Sequence, residues 1–382
     1  MNSKWVFALF LVLAVASVAA AQLSPPPLVA GGLAQAAGLE GRVLWVDGLA
    51  NLAVLRSREG IDQIFERCHA AHINTVVVDA KPLNGYVLYN SRVAPQLKEW
   101  RGITWPADHD LLAHAMHQAH RRGMKVHIAL NVFSEGHKLN NAGPIYERPE
   151  QQAIVYDFRR TVRATTGAQH QVALGANLGP GAQEISIYDD ERTPPRSLSE
   201  AEAAVVVIQD VVAAVIEGGI PDVEPIAIPK DGFVLFGQGE GAAWLLKNVN
   251  VGDRLGWSGR EVLLPITQSP SDPYGVFVNP AHPEVRAYAL RIVDEIVDNY
   301  AIDGLVFDRM RYASLSTDFS DVSRRQFETW LGRPVTRWPQ EIFEYDPVPN
   351  RKVIRGPLFA SWLEWRARTM RDWLAEATEL IH

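Results

Sequence analysis

The 382-residue chain has a single cysteine, Cys68, so no internal disulfide can staple it and an apolar core has to hold it. Cys68 falls in a helical pattern, where a buried inert thiol is the expected state. Basic excess is also missing. Lys and Arg number 37 against 44 Asp and Glu, for a formal net charge of −7. No basic stripe exists to neutralise phosphates, which excludes a general nucleic-acid-binding role. No HExxH, paired CxxC or GxSxG occurs, so zinc-protease, zinc-ribbon and serine-hydrolase readings have no support. The loop Gly237-x-Gly239-x-Gly241 lacks both the full dinucleotide fingerprint and the Lys-Ser/Thr of a P-loop. His114, His117 and His120 recur every three residues and read as a solvated polar helix face. No metal and no cofactor is expected.

A membrane-spanning run is absent too. The N-terminal "WVFALFLVLAVASV" after Lys4 holds roughly 14 apolar residues, short of the ~20 a spanning helix needs. Ala19-Ala20-Ala21 supplies a small-residue cleavage site. Residues 1–21 therefore read as a signal peptide. The mature protein is expected to be secreted or periplasmic, with no membrane attachment. Residues 22–41, rich in Pro, Gly and Ala, read as a linker.

What is present is a repeated design. "RVLWVD", "NTVVVD", "KVHIALN" and "DGLVFD" are short apolar runs without alternation, ending at Asp47, Asp79, Asn131 and Asp308. Such runs suit strands buried on both faces of a parallel sheet. Helical patterns alternate with them. Before the fourth run, Val285, Ala289, Ile292, Val293, Ile296 and Val297 form one amphipathic stripe, with Pro283 in the first turn. Alternating β and α units predict an α/β fold. Parallel α/β folds carry their active sites at the carboxyl ends of the strands, where all four polar residues fall. Those four residues are expected together at one end of adjacent strands.

The segments "VVVDAKPLNGYVLYNS", "DHDLLAHAMHQAHRRGMKVHIALNVFSEG" and "VFVNPAHPEVRAYALRIVDEIVDNYAIDGLVFDRMRYA" resemble the bacterial glycosyl-hydrolase-like family ten, as does "DFSDVSRRQFETWLG". The resemblance covers roughly residues 42–136 and 275–332. It implies an exported protein on a (β/α) barrel similar to glycoside hydrolases, acting on a polysaccharide such as peptidoglycan glycan strands. Two positions depart from the family pattern. "HIALN" lacks the Trp often found on the third strand, and Ala313 replaces a Pro often found after the fourth.

Glycoside hydrolysis generally uses two carboxyl groups, one as nucleophile or base and one as acid. Asp308 is the candidate for the first role, because Arg309 and Arg311 beside it would stabilise a negative charge there. For the acid, Glu135 in the third βα loop and Asp79 remain open, with Glu135 taken as the catalytic partner. Asp47, Asp79, Lys81, Asn131, Arg309, Arg311 and Tyr312 are the substrate-binding candidates. Trp100 and Trp105, in the long loop after the second strand, are candidate sugar platforms.

No fifth apolar strand is visible after Asp308. The chain thus reads as a TIM-like barrel, incomplete at about four β/α units and truncated. It divides into 42–136, an inserted α+β subdomain over 137–275, and 276–382 with a C-terminal helix. Within the insertion, "SLSEAEAAVVVIQDVVAAVIEGG" reads as one helix, capped by Ser199 and Glu202 and ended by Gly218-Gly219. The following "IPKDGFVLFGQGEGAAWLLKNVNVGDRL" resembles part of the phosphodiester glycosidase family. An open sheet with an exposed edge is expected at the fourth strand.

Overall fold

The computed structural model describes residues 41–174, 184–189, 202–218, 230–269, 275–349 and 353–381. The signal-peptide and linker readings lie outside these residues. In chain order, β1 (Val43–Val46), α1 (Arg58–Ala70), β2 (Thr75–Lys81), α2 (Leu111–His120) and β3 (Lys125–Asn131) alternate as the sequence rhythm predicts. After β4 (Ser134–His137) comes a second sheet. It consists of β5 (Ile154–Arg163), β6 (Gln169–Leu174), β7 (Ile185–Asp189), β8 (Ala203–Ile208), β9 (Val211–Glu217), β10 (Gly232–Gly237) and β11 (Gly256–Pro265). Helix α3 (Glu240–Asn248) lies between the last two strands. Then follow β12 (Gly275–Phe277), α4 (Pro283–Asn299), β13 (Gly304–Asp308), α5 (Asp321–Leu331) and α6 (Phe359–Ile381).

The first sheet is all parallel, in the order β1-β2-β3-β13. One face packs on helices. Val46, Val76, Val78, Val126, Ile128 and Leu130 join Phe65 of α1, Leu112 of α2 and Ile292 of α4 in a single apolar cluster. Full burial of each such side chain contributes ~1.5–3 kcal/mol. Cys68 is buried in the same cluster, where loss of solvent raises its thiol pKa. The helices start where the sequence supplies caps. Ser57 accepts from Gly60 N, and Asp110 accepts from Ala113 N.

The sheet is open, and no closed barrel forms among the described residues. Its outer strands differ. On β1, Val43, Leu44 and Trp45 are exposed, Trp45 at 47%. On β13, Phe307 meets the Trp373 ring of α6 at 5.2 Å, and Trp373 also meets Phe133 at 5.5 Å. The barest edge is therefore β1 rather than the fourth strand. The C-terminal helix covers the helix-side face of β13 through Trp373, while its Leu363 and Leu374 stay exposed.

The second sheet has the order β9-β8-β10-β7-β6-β5-β11 and is antiparallel except for the β6–β7 pair. Its ends are pinned together, because β4 pairs with β12, and Val278 N donates to Phe133 O. One expectation is overturned here. Residues 203–217 form a β-hairpin, not a helix, with Gln209 and Asp210 at its tip in left-handed conformation, φ 50° and 65°. Val-rich β-branched runs favour strands over helix, and paired left-handed residues are the hallmark of a two-residue hairpin turn. Ser199 lies outside the described residues. Glu202 caps something else: its carboxylate accepts from Gly239 N in the glycine loop before α3. The anion position of that loop is filled by the chain's own acid.

Candidate active site

Strand alternation sets which residues share the face opposite the helices. Register pairs Trp45 with Val77, Val77 with His127, and His127 with Gly304. Two residues further along each strand, the same face carries Asp47, Asp79, Ala129 and Val306; Asn131 and Asp308 pair one step beyond. The four strand-end polar residues thus lie at one end of adjacent parallel strands. Hydrogen bonds join the ends of all four strands.

Asn131 is the hub. Its Nδ2 donates to Asp79 Oδ1 at 3.3 Å and to the Lys81 carbonyl at 3.1 Å, while its Oδ1 accepts from Arg309 Nε at 2.8 Å. Both ends of the amide are occupied, so its orientation is fixed. On the other side of Asp79, Gly48 N donates to Oδ2 at 3.3 Å. A Cβ on Gly48 would sit 2.9 Å from the Asp79 carbonyl oxygen, so only glycine lets the β1 end approach this closely.

Asp79 is 5% exposed. Burial pushes its carboxyl up to about 7, against the Gly48 N–H and the Lys81 charge, which pull it down; the charges of Asp47 and Asp308 push it further up. Asp308 is exposed. Among the described residues its carboxylate takes one hydrogen bond, from its own neighbour's backbone, Arg309 N, at 2.7 Å. The Arg309 side chain turns to Asn131 instead, and the Arg311 guanidinium donates to the carbonyls of Tyr312 and Ala313. Both guanidinium groups lie over the Phe277 ring, at 5.8 and 5.2 Å. Arg309 is held at φ 48°, a strained backbone for a residue with a Cβ.

The other candidates take different places. A bulge between Asp79 and Lys81 sets Lys81 opposite Leu130, off the face that carries Asp79. Its ammonium reaches Glu135 Oε1 at 2.7 Å and the carbonyls of Asn131 and Ser134 at 2.8 and 2.9 Å. Arg148 holds Glu135 Oε2 at 3.3 Å. Glu135 is buried with a cation on each oxygen, so it offers no free oxygen to a substrate. Tyr312 is buried beneath the Arg366 guanidinium, 4.2 Å from its ring centre. Trp100 and Trp105 are also buried, packed edge-on or tilted against His137 and His109. Neither ring offers a face to solvent. His114 and His120 reach Asp62 and Asp303, each on a different element. Sequence reasoning missed Gly48, Phe277 and Arg148. Phe277, in "VFVNP", carried the nearest thing to a signal.

Residues 267–382, which include β13 and Asp308, match the family described as "Glycosyl hydrolase-like 10". The resemblance read from the sequence holds over that segment. A curated relative, the "S-layer-related protein" of Niallia circulans, is 37% identical over 107 residues, 27% of this chain and 6% of that protein. Two solved structures are loosely similar. One is alpha-L-fucosidase isoenzyme 2 from Paenibacillus thiaminolyticus, at TM-score 0.40 and 12% identity, covering 89% of this chain and 30% of that one. The other is the PgaB (BpsB) glycoside hydrolase domain from Bordetella bronchiseptica, at TM-score 0.40 and 11% identity, covering 89% and 61%. The chain thus spans a small part of the curated relative it matches. No helix among the described residues is long and apolar enough to cross a membrane.

Proposed function

We propose that the chain is an exported, glycoside-hydrolase-like protein that cleaves O-glycosidic bonds of a polysaccharide, with Asp308 as nucleophile or base. One observation carries this reading. Asp308 ends the last parallel strand, inside the matched family segment, as an exposed carboxylate with no cation held on it among the described residues. A purely structural aspartate at this position would be expected to pair with Arg309 or Arg311, and it does not. The strand-end cluster around it fits the rule that parallel α/β folds build their sites there. In this reading the sheet is an incomplete TIM-like barrel, residues 137–275 are an insertion, and cell-wall glycan is the substrate class. The apolar run "WVFALFLVLAVASV" and an S-layer-related relative support export.

The open β1 edge favours a second reading, a carbohydrate-binding protein without turnover. One experiment separates them. The protein is incubated with purified peptidoglycan sacculi, and new reducing ends and co-sedimentation are both measured. Release of reducing ends by wild type and not by Asp308→Asn supports cleavage. Sedimentation without release supports binding alone.

A further inference from the structure

We propose that Asp79 is the proton donor of this site, acting on the departing glycosidic oxygen while Asp308 serves the anomeric carbon. The inference deepens the reading above and rests on it. Bond by bond, the glycosidic C–O bond breaks and its electron pair goes to the leaving oxygen. That oxygen takes the Asp79 proton and departs as an alcohol. The anomeric carbon gains an electron pair either from Asp308 directly or from a water whose proton Asp308 accepts. Asp79 is left as a carboxylate and recovers its proton from water.

The geometry selects Asp79 over Glu135 on three counts. Asp79 lies on the face that carries Asp308, two strands away, with Asn131 between them. Glu135 has both oxygens taken by Lys81 and Arg148 in a buried ion pair. Most telling is the bulge after Asp79. It turns Lys81 off that face and commits the ammonium to Glu135 and two carbonyls, so the nearest cation is spent elsewhere. What faces the Asp79 carboxyl is the Asp47 and Asp308 charges, the residual field of Lys81, the Gly48 N–H and the Asn131 amide. The Arg309 guanidinium reaches it only through Asn131. Among the described residues each Asp79 oxygen receives one long N–H contact of 3.3 Å. A proton on this carboxyl has no protein acceptor committed to it among the described residues. The raised pKa agrees with this placement: near neutral pH a large share of the carboxyl keeps its proton, while an ordinary aspartate has lost it. A buried carboxyl that keeps its proton, on the same face as an exposed one, is the pairing that acid and base roles need.

The test compares wild type, Asp79→Asn, Asp79→Glu and Asp308→Asn. Reducing-end release from peptidoglycan sacculi is followed from about pH 5 to about pH 9, bracketing ordinary and raised carboxyl values. The C=O stretch of protonated carboxyl groups is recorded by difference infrared over the same range. Wild type is expected to lose activity on a basic limb with its midpoint near 7, in step with one carboxyl band. Asp79→Asn should abolish that band and lower release by ~100-fold or more. Asp308→Asn should lose release and keep the band. Release by Asp79→Asn with the basic limb unchanged overturns the proposal, as does survival of the band. Should Asp79→Asn not fold, Asp79→Glu decides: limb and band must shift together, and an unmoved pair overturns the assignment. Wild type that releases nothing removes the cleavage reading and this inference with it. Wild-type release with an Asp79-independent limb removes only the inference.

Discussion

Lys81 and Glu135 form an ion pair of 2.7 Å in which both side chains are almost wholly buried, 2% and 3% exposed. The pair ties the end of β2 to the loop after β3, with Arg148 closing the far oxygen. A buried pair of this kind is costly to break from one side, because the remaining charge has no counter-charge; here Lys81 would keep only the Asn131 and Ser134 carbonyls. Glu135→Gln is expected to destabilise the protein by ~3–5 kcal/mol. Replacing both, as Lys81→Met with Glu135→Leu, should recover most of that loss. Urea unfolding of the three proteins measures it. A Glu135→Gln protein as stable as wild type would show that the pair contributes nothing.

Asp79 gives a pH signature in stability as well as in activity. Its folded-state value of about 7 lies above the ordinary 3.8, so the folded protein binds a proton that the unfolded chain releases. Between those values the native state holds more protons, and stability falls as pH rises. The contribution is present in full below the unfolded value and lost as pH climbs through about 7. Across the window it amounts to something on the order of 4 kcal/mol. Asp79→Asn, which cannot titrate, should flatten this slope. Urea midpoints of both proteins at several pH values between 4 and 8 check it, and parallel slopes would refute it.

How far the sequence spoke depended on the kind of pattern. The four apolar runs ending in Asp47, Asp79, Asn131 and Asp308 announced the parallel sheet and the edge where its polar residues gather, although the burial on both faces that such runs imply fails at β1, exposed over Val43–Trp45, and at the half-buried β13. The stripe of α4 was equally plain. Residues 203–217 were misread because an unbroken apolar run has no period of its own, and the Gln209-Asp210 turn lacks the glycine that would mark a hairpin. The bulge after Asp79 left no trace in the sequence, so Lys81 looked like a neighbour of the strand-end carboxylates. Its commitment to Glu135 depends on a register that only the fold fixes. Trp100 and Trp105 illustrate the same limit: an aromatic in a long loop reads alike whether the loop lies over a cleft or folds into the core.

Trp373 is where the C-terminal helix is fastened to the first sheet. Its ring meets Phe133 and Phe307 and is fully buried. Trp373→Ala removes both contacts and leaves a cavity too large for its neighbours to fill, at a cost of ~3–5 kcal/mol. Leu363→Ala and Leu374→Ala, on the exposed side of the same helix, should change stability by no more than ~0.5 kcal/mol. Thermal melts of the three variants compare them directly. Equal losses for all three would mean that α6 docks through its other face.

Asp308 separates a catalytic from a structural carboxylate more cleanly than any other residue here. Its side chain is exposed and, among the described residues, takes one backbone N–H from Arg309 and holds no guanidinium. Asparagine keeps an oxygen for that N–H and is nearly the same size. Asp308→Asn is therefore expected to melt within ~0.5 kcal/mol of wild type, as surface substitutions away from special features do. The charge is what it loses, and an oxocarbenium-like transition state depends on that charge. Reducing-end release from sacculi should fall by ~100-fold or more. The melt and the assay have to be read together. Lost release with an unchanged melt assigns Asp308 to the chemistry. A melt lowered by several kcal/mol would mean that the carboxylate anchors the β13 end after all, and release that survives would take Asp308 out of the reaction.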